Sequence, residues 1–371
     1  MITLPEKLRK ALEKTIKELR AKENVYGVGL FGSWSRGDAA PSSDIDLFVF
    51  DRRDFAYEYV ERVEVGGFLV DLDHVPRQWV QGPMPSEIDQ KLYEMQILYD
   101  RDWLLTNMKL LMTKSYGTPE RVDIRTEAHV VESDIYLSRA TSAFSRQDFQ
   151  SSCLFATVAL ENILKVLIEI ALQPFSASRL VKILEDSAVK LGRKDLFNKY
   201  LDLAGLSVAN EESVKEKLRL FKAIWNEMAV TAKQYPEVLE SCHFTVKTKL
   251  NYYLSPAFLQ GTVIRGGSLI DAGKMVEVSH YLNSVLLEIL ENYVWLKSSI
   301  DKVKIDYTML MRSLENLEEK NPGNYENIAK FLGSRGVTTA EAADRIERTR
   351  EIILKVRGDR KVLIKNYLHK S

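Results

Sequence analysis

Between an apolar run at Val25–Phe31 and another at residues 47–50, the chain carries Gly32-Ser33, ten further residues, and then Asp44-Ile45-Asp46. No other stretch limits the fold as much. The flanking runs are rich in valine, leucine and phenylalanine and read as strands. Gly32-Ser33 breaks the first of them, and Asp38-Ala39-Ala40-Pro41-Ser42-Ser43 has the composition of a turn. In the second strand, expected over about 44–50, the two-residue period sets Asp44 and Asp46 on one face and Ile45, Leu47 and Val49 on the other. Aspartate is depleted from strand interiors, so a pair of them on one face points to chemistry rather than to folding.

The surroundings extend this pattern. Leu4, Leu8, Leu12, Ile16 and Leu19 recur at helical spacing and predict an amphipathic helix that ends by Asn24. Residues 51–65 read largely as helix. Gly66-Gly67 then turns tightly into a third strand, in which Asp71 and Asp73 share a face with Leu69 and Val75. Residues 86–111 supply one or two closing helices. Tyr116-Gly117-Thr118-Pro119-Glu120 marks a boundary, with Thr118 as an N-cap and Pro119 at the first helical position. Beyond it helical patterning dominates: 123–146 paired with 150–172, then 178–191, 194–203, 211–234 and 270–302. The glycine- and proline-containing residues 255–267 read as irregular. Asn321-Pro322-Gly323-Asn324 and Ser334-Arg335-Gly336 divide the last part into short helices, and Thr338 with Glu341 forms a capping box. The expected fold class is α+β, a small mixed sheet flanked by helices followed by a mainly α-helical region. The expected domains are 1–115, 118–300 and 301–371.

Composition excludes several classes. Lys+Arg and Asp+Glu are both 52, so no overall charge draws the chain to nucleic acid or to an anionic membrane. Local basic excesses at 6–22 and 345–371 read as solvated helix faces. Cys153 and Cys242 are the two cysteines, too few for a disulfide framework or a thiolate zinc site, and read as reduced core thiols. The most apolar window, 153–172, is crossed by Glu161, Lys165 and Glu169 at four-residue spacing, so it is read as a buried helix with one charged stripe. With no signal segment in evidence, the expectation is a soluble, cytoplasmic protein with no membrane partner.

The residues of the central stretch suit a metal-bound triphosphate. Backbone N–H groups at a glycine turn bind phosphate oxygens, and a serine hydroxyl adds a donor. Gly32 and Ser33 fill those roles. Mg²⁺ prefers carboxylate oxygens and accepts waters and phosphates as further ligands. Asp44 and Asp46 offer such oxygens from one strand face, and an acid on the next strand would complete a site for two ions about 4 Å apart.

Gly32-Ser33 followed after ten residues by Asp44-x-Asp46 resembles the signature of the DNA polymerase beta-like nucleotidyltransferase superfamily. The similarity is greatest to the minimal and kanamycin-type nucleotidyltransferases. Arg36-Gly37 and Ser43 also fit, and Val70-Asp71-Leu72 matches the family's third carboxylate between two apolar residues. Asp73, followed by His74, fits less well. The resemblance covers roughly residues 5–105. It implies an enzyme that moves a nucleoside monophosphate from an NTP to an acceptor hydroxyl and releases pyrophosphate. Asp44, Asp46 and Asp71 would be catalytic and metal-binding, and Gly32, Ser33, Arg36 and Ser43 nucleotide-binding. The implied cofactor is Mg²⁺, or Mn²⁺ in its place. The implied donor is an NTP, ATP first, and the acceptor a small molecule, a protein side chain or RNA. A homodimer is compatible with this reading.

In many relatives a helical domain of the HEPN-like or kanamycin-nucleotidyltransferase C-terminal type follows, and residues 118–300 resemble it. HEPN ribonucleases carry arginine four to six residues before histidine. Arg125 and His129 are separated by three, so ribonuclease activity is not expected. Glu132 and Glu161 are candidates for the base toward the acceptor, although Glu161 also belongs to the Glu161-Lys165-Glu169 ladder. Trp34 could stack on a base or cover the sheet edge, and His74 reads as a strand histidine. The alternatives are a nucleotide-binding, antitoxin-like interaction module and a tRNA nucleotidyltransferase. The short interval from Asp46 to Asp71 and the neutral charge speak against the last.

Overall fold

The computed structural model describes residues 5–40, 43–81, 84–319 and 322–368. Leu4, Pro41, Ser42 and Asn321, which the sequence reading uses, lie outside these residues, as do the last three of the basic tail. In chain order the first elements are α1 (Glu6–Arg20), β1 (Val25–Phe31), α2 (Gly32–Arg36), β2 (Ile45–Asp51), β3 (Tyr59–Val65), β4 (Phe68–Pro76), α3 (Arg77–Gln81), α4 (Asp89–Glu94), β5 (Gln96–Asp100) and α5 (Leu104–Ser115). Helices follow: α6 (Pro119–Ser145), α7 (Phe149–Ile170), α8 (Leu180–Lys190), α9 (Lys194–Leu203), α10 (Glu211–Gln234), α11 (Pro236–Ser241), α12 (Phe244–Tyr253), α13 (Pro256–Asp271), α14 (Met275–Asp301), α15 (Leu310–Leu317), α16 (Pro322–Phe331) and α17 (Thr339–Leu368). The fold class is therefore α+β.

The chain forms two compact units. The first holds the residues up to Thr118 together with His243–Ser268, and the second holds Pro119–Cys242 and the residues from Leu269 on.

In the first unit the sheet order is β3-β4-β2-β1-β5. β2 and β4 run parallel, and the other neighbours run antiparallel. Leu8, Leu12 and Leu19 of α1 pack against Val28, Leu30, Ile45, Leu47, Val49, Val70 and Leu72. Burying each such side chain contributes about 1.5–3 kcal/mol. A one-residue slip would turn this whole set to the opposite face, so the apolar face fixes the register. The acids of β2 and β4 are thereby forced onto the other side. α12 packs against β3, with Phe244 edge-on to Tyr59 at 5.9 Å between centroids.

Three local expectations are corrected. Residues 51–65 are not largely helical, because Tyr59–Val65 is a strand paired antiparallel with β4. Gly66 and Gly67 both have positive φ, 60° and 82°, the left-handed pair that a two-residue hairpin turn demands. β3 lies at the sheet edge, and its exposed charges blur the alternation that would mark it as a strand. Residues 86–111 hold a strand as well as helices: β5, a run without a periodic signal of its own, is ordered by pairing with β1. Residues 256–271 are helix, not irregular chain. The glycines there read as breakers, yet Gly261 meets a crowded neighbour: a Cβ on it would stand 2.7 Å from Arg62 Nη1 and 2.9 Å from Leu69 Cδ1.

The described residues of the second unit form helices joined by turns and loops, with no strand among them. Its core joins Val122 and Val130 of α6, Ile163 and Leu167 of α7, Leu184 of α8, Tyr200 of α9 and Ile353 and Val356 of α17. Glu161 is held by Lys165 at 3.0 Å and by His280 Nε2 at 2.8 Å, and Glu169 by Arg125 at 2.6 Å. The charged stripe is thus paired within the unit. The Thr338–Glu341 capping box forms as expected: Thr338 N–H donates to Glu341 Oε2 at 2.8 Å and Glu341 N–H to Thr338 Oγ1 at 3.2 Å. Among the described residues no helix is long and apolar enough to cross a membrane.

Candidate active site

β1 ends at Phe31, and Gly32, with a φ of +73°, opens the five-residue α2. A side chain at this position would be strained, and its Cβ would overlap Asp46 Oδ2. The glycine therefore lets the turn close onto the acid of the neighbouring strand. Glu94, at the end of α4, fixes this turn. Its carboxylate accepts from Gly32 N–H at 2.7 Å and from Arg36 Nη1 at 2.8 Å, and its carbonyl accepts from Ser35 Oγ at 2.5 Å. Arg36 therefore lies beside the turn with its guanidinium on Glu94. Ser33 is half-buried, and its carbonyl accepts from the N–H groups of Gly37 and Asp38 at 3.0 and 3.1 Å. Ser43 closes the following loop: its Oγ accepts from Ala40 N–H at 3.0 Å, and its carbonyl from Trp34 Nε1 at 3.4 Å. Trp34 packs on the apolar core of the sheet.

Parallel pairing of β2 with β4 sets Asp46 opposite Asp71 in register. Asp44 stands two residues before Asp46, at the mouth of the strand. Each of the three offers a carboxylate oxygen within 4.8 Å of the others. Asp73, two residues farther along β4, does not join them. Lys91 holds it, Nζ to Oδ2 at 2.5 Å, and Glu58 shares that lysine at 2.8 Å. His74 stacks on Tyr59 at 4.7 Å and meets Asp51 at 3.2 Å, the surroundings of a strand histidine.

Three further residues complete the cluster. Arg62 of β3, opposite Asp71 in register, donates from Nε and Nη2 to the two oxygens of Asp71 at 2.6 and 2.5 Å. Its Nη2 also reaches Asp44 Oδ2 at 2.6 Å. Arg265 of α13 donates to Asp44 Oδ1 at 2.5 Å. Tyr252 of α12 donates from Oη to Asp71 Oδ2 at 2.9 Å. Nothing local in the sequence points to these three residues or to Glu94. An arginine in an edge strand is an ordinary sequence event, and Tyr252 and Arg265 lie far from the motif. Only the strand register, or the helical period of 256–271, could have pointed toward them.

Electrostatics single out Asp46. Burial raises its pKa well above the ordinary carboxylate value, and the charges of Asp44 and Asp71 add to the effect. Burial also works on Asp44, but the guanidiniums of Arg265 and Arg62 outweigh it and hold that pKa low. Asp71 is raised, chiefly by burial and against the pull of Arg62. Three carboxylates thus share two guanidiniums, and the uncompensated charge falls on Asp46, whose carboxylate meets no hydrogen-bond donor among the described residues. An all-oxygen donor set with an unmatched negative charge suits a hard divalent cation.

Comparison with known proteins matches the stretch of chain that carries the three acids. A family model described as a nucleotidyltransferase domain matches residues 12–104. A putative protein adenylyltransferase from Methanocaldococcus jannaschii is 39% identical over 79 residues, which are 19% of this chain and 78% of that protein. A solved structure of a nucleotidyltransferase-like protein from Exiguobacterium sibiricum aligns with 89% of this chain and 92% of its own. It does so at 13% identity and a TM-score of 0.28, a likeness too loose to build on.

Proposed function

Since this chain belongs, through its N-terminal residues, to the nucleotidyltransferase domain family, we propose that it transfers a nucleoside monophosphate from an NTP to a protein hydroxyl, with release of pyrophosphate. The observation that carries this reading is the convergence of Asp44, Asp46 and Asp71, from two parallel strands, within 4.8 Å. ATP as donor and a protein as acceptor follow the name of the archaeal relative, a protein adenylyltransferase.

In this reading Asp44, Asp46 and Asp71 would hold Mg²⁺ or Mn²⁺, which would supply charge neutralisation for the triphosphate and the departing pyrophosphate. The chain's own groups do the rest. The N–H and hydroxyl of Ser33 face the phosphates at the end of β1, on the turn that Gly32 opens. Glu94 keeps that turn in place through Gly32 N–H and Arg36, so Arg36 acts by positioning the turn. Ser43 stabilises the loop that delivers Asp44. Arg62 and Arg265, which neutralise the acids here, become partners for phosphate oxygens once those acids are otherwise engaged. Asp71 accepts the proton of the attacking hydroxyl, because it is the acid that already accepts from a hydroxyl donor. In this proposal the expected kinship of residues 118–300 with HEPN-like domains is carried by the helices of the second unit, without 243–268, and α17 shares their core.

The test is to incubate the protein with each α-labelled NTP, with Mg²⁺ or Mn²⁺, and with a cell extract. Labelled protein and released pyrophosphate are expected with ATP, and neither with Asp44→Asn. Equal turnover by that variant would remove the triad from the chemistry.

A further inference from the structure

Transfer to a hydroxyl needs an acceptor oxygen within hydrogen-bond reach of the group that takes its proton. The first unit already contains one. Tyr252 Oη lies 2.9 Å from Asp71 Oδ2. Its ring is half-buried and held edge-on by Tyr253 and Phe258, each 5.1 Å away between centroids. The guanidinium of Arg62, which bridges Asp71 and Asp44, stands 5.3 Å from the same ring. A tyrosine needed only to fill space between these rings would not have to point its hydroxyl at the acid. A phenol that must find a hydrogen-bond partner could have used backbone or water. Instead the hydroxyl sits on the one strand residue that faces both Asp46 and Arg62 in register.

We propose that Tyr252 is itself an acceptor, and that the protein nucleotidylates its own Tyr252. This rests on the reading of the triad as the transfer centre. In the step, Tyr252 Oη attacks the α-phosphorus of an NTP and an Oη–P bond forms. The bond from the α-phosphorus to the bridging oxygen breaks, and pyrophosphate leaves with that electron pair. The phenolic proton passes to Asp71. The product is a nucleoside monophosphate esterified to Tyr252, which removes the hydroxyl from Asp71 and places a bulky anion at the mouth of the site. Self-modification would therefore occupy the place that an external acceptor needs, and transfer to other proteins should slow as Tyr252 becomes modified.

The experiment uses the full chain with α-labelled ATP and Mn²⁺, once alone and once with cell extract. Intact mass and peptide fragmentation then locate any nucleotide on the protein. The expected result is one nucleoside monophosphate on the peptide containing Tyr252. It should be absent when γ-labelled ATP is the source of label, absent in Asp46→Asn, and absent in Tyr252→Phe. Fragmentation of the wild-type protein reads the site directly, so the outcome does not depend on the variants folding. If the wild type labels proteins of the extract while its own Tyr252 stays unmodified, the self-transfer proposal fails and the transferase reading stands. A nucleotide found on another residue, with Tyr252 bare, overturns it equally. If neither arm yields labelled protein or pyrophosphate, the transferase reading falls and takes this inference with it.

Discussion

Arg265 Nη2 donates to Asp44 Oδ1 at 2.5 Å across 221 residues of sequence. Together with Arg62 it occupies both oxygens of Asp44. A cation arriving at the triad therefore competes with a guanidinium already in place. Arg265→Ala is expected to tighten Mn²⁺ binding in the absence of nucleotide, on the order of tenfold. Removing a unit charge at contact distance in a partly screened site releases an opposing interaction of a few kcal/mol at most. The same variant should bind NTP more weakly. Titration of free Mn²⁺ by electron paramagnetic resonance checks the first effect, and a nucleotide-binding isotherm the second. Unchanged or weaker Mn²⁺ affinity would mean that Arg265 is not a competing counter-ion.

Asp46 stands in the opposite position, with burial and two neighbouring acids set against its ionisation. Asp46→Asn keeps the shape and removes the repulsion. Turnover of NTP should be lost while the metal-free protein becomes more stable, the pattern of a site that gives up stability for function. A rise of roughly 1–2 °C in melting temperature corresponds to about 1 kcal/mol in a chain of this size. Thermal unfolding in chelator, beside a pyrophosphate assay, measures both. A fall in melting temperature would contradict the charge argument.

Two glycines of α13 should respond in opposite ways to alanine. Gly267 has open space where a Cβ would go, so Gly267→Ala is expected to stabilise the protein by about 0.5–1 kcal/mol through helix propensity. At Gly261 the new Cβ would press on Arg62 and Leu69. Arg62 cannot swing aside without leaving Asp44 and Asp71. Overpacking there costs about 1–3 kcal/mol, and turnover should fall with it. Urea unfolding of the two variants reads the sign directly.

The second unit contains a lysine with a pH signature. Lys217 is mostly buried beside Phe331, and its Nζ donates to Asn283 Oδ1 at 2.7 Å and Ser279 Oγ at 3.3 Å. Burial pulls its pKa down from 10.5 to about 8. Between these values the unfolded chain binds the proton and the folded chain does not, so stability rises with pH through this window. Below about pH 8 both states are protonated and the folded state carries the full cost of the buried charge. Lys217→Met should therefore be more stable than wild type at pH 7, and the difference should shrink as pH rises toward 10.5. A difference that does not vary with pH would show that the lysine is solvated.

The separation between what was readable early and what was not follows from the range of the interactions. Strand β1, the turn at Gly32, strand β2 and the place of Asp71 between Val70 and Leu72 rest on local period and composition. They were legible because the pleat alternates side chains whatever their distant partners are. The same holds for α10, expected over 211–234 and found at Glu211–Gln234. β3 and β5 were not legible, because each is a short run whose strand conformation is stabilised by a neighbour: β4 across a hairpin in one case, β1 across the sheet in the other. α13 was hidden by its glycines, of which Gly261 permits the close approach of Arg62.

The sequence by itself therefore determined the glycine turn after β1 and the acid-bearing faces of β2 and β4, since two-residue periodicity and a glycine break need only their immediate surroundings; the choice of Asp71 over Asp73 came from the family resemblance. Tertiary structure alone decided what meets those acids. Parallel register brings Asp71 beside Asp46, the hairpin delivers Arg62, and α12 and α13 bring Tyr252 and Arg265 from far along the chain. Contacts of that kind depend on which surfaces bury together, and burial is a property of the folded whole.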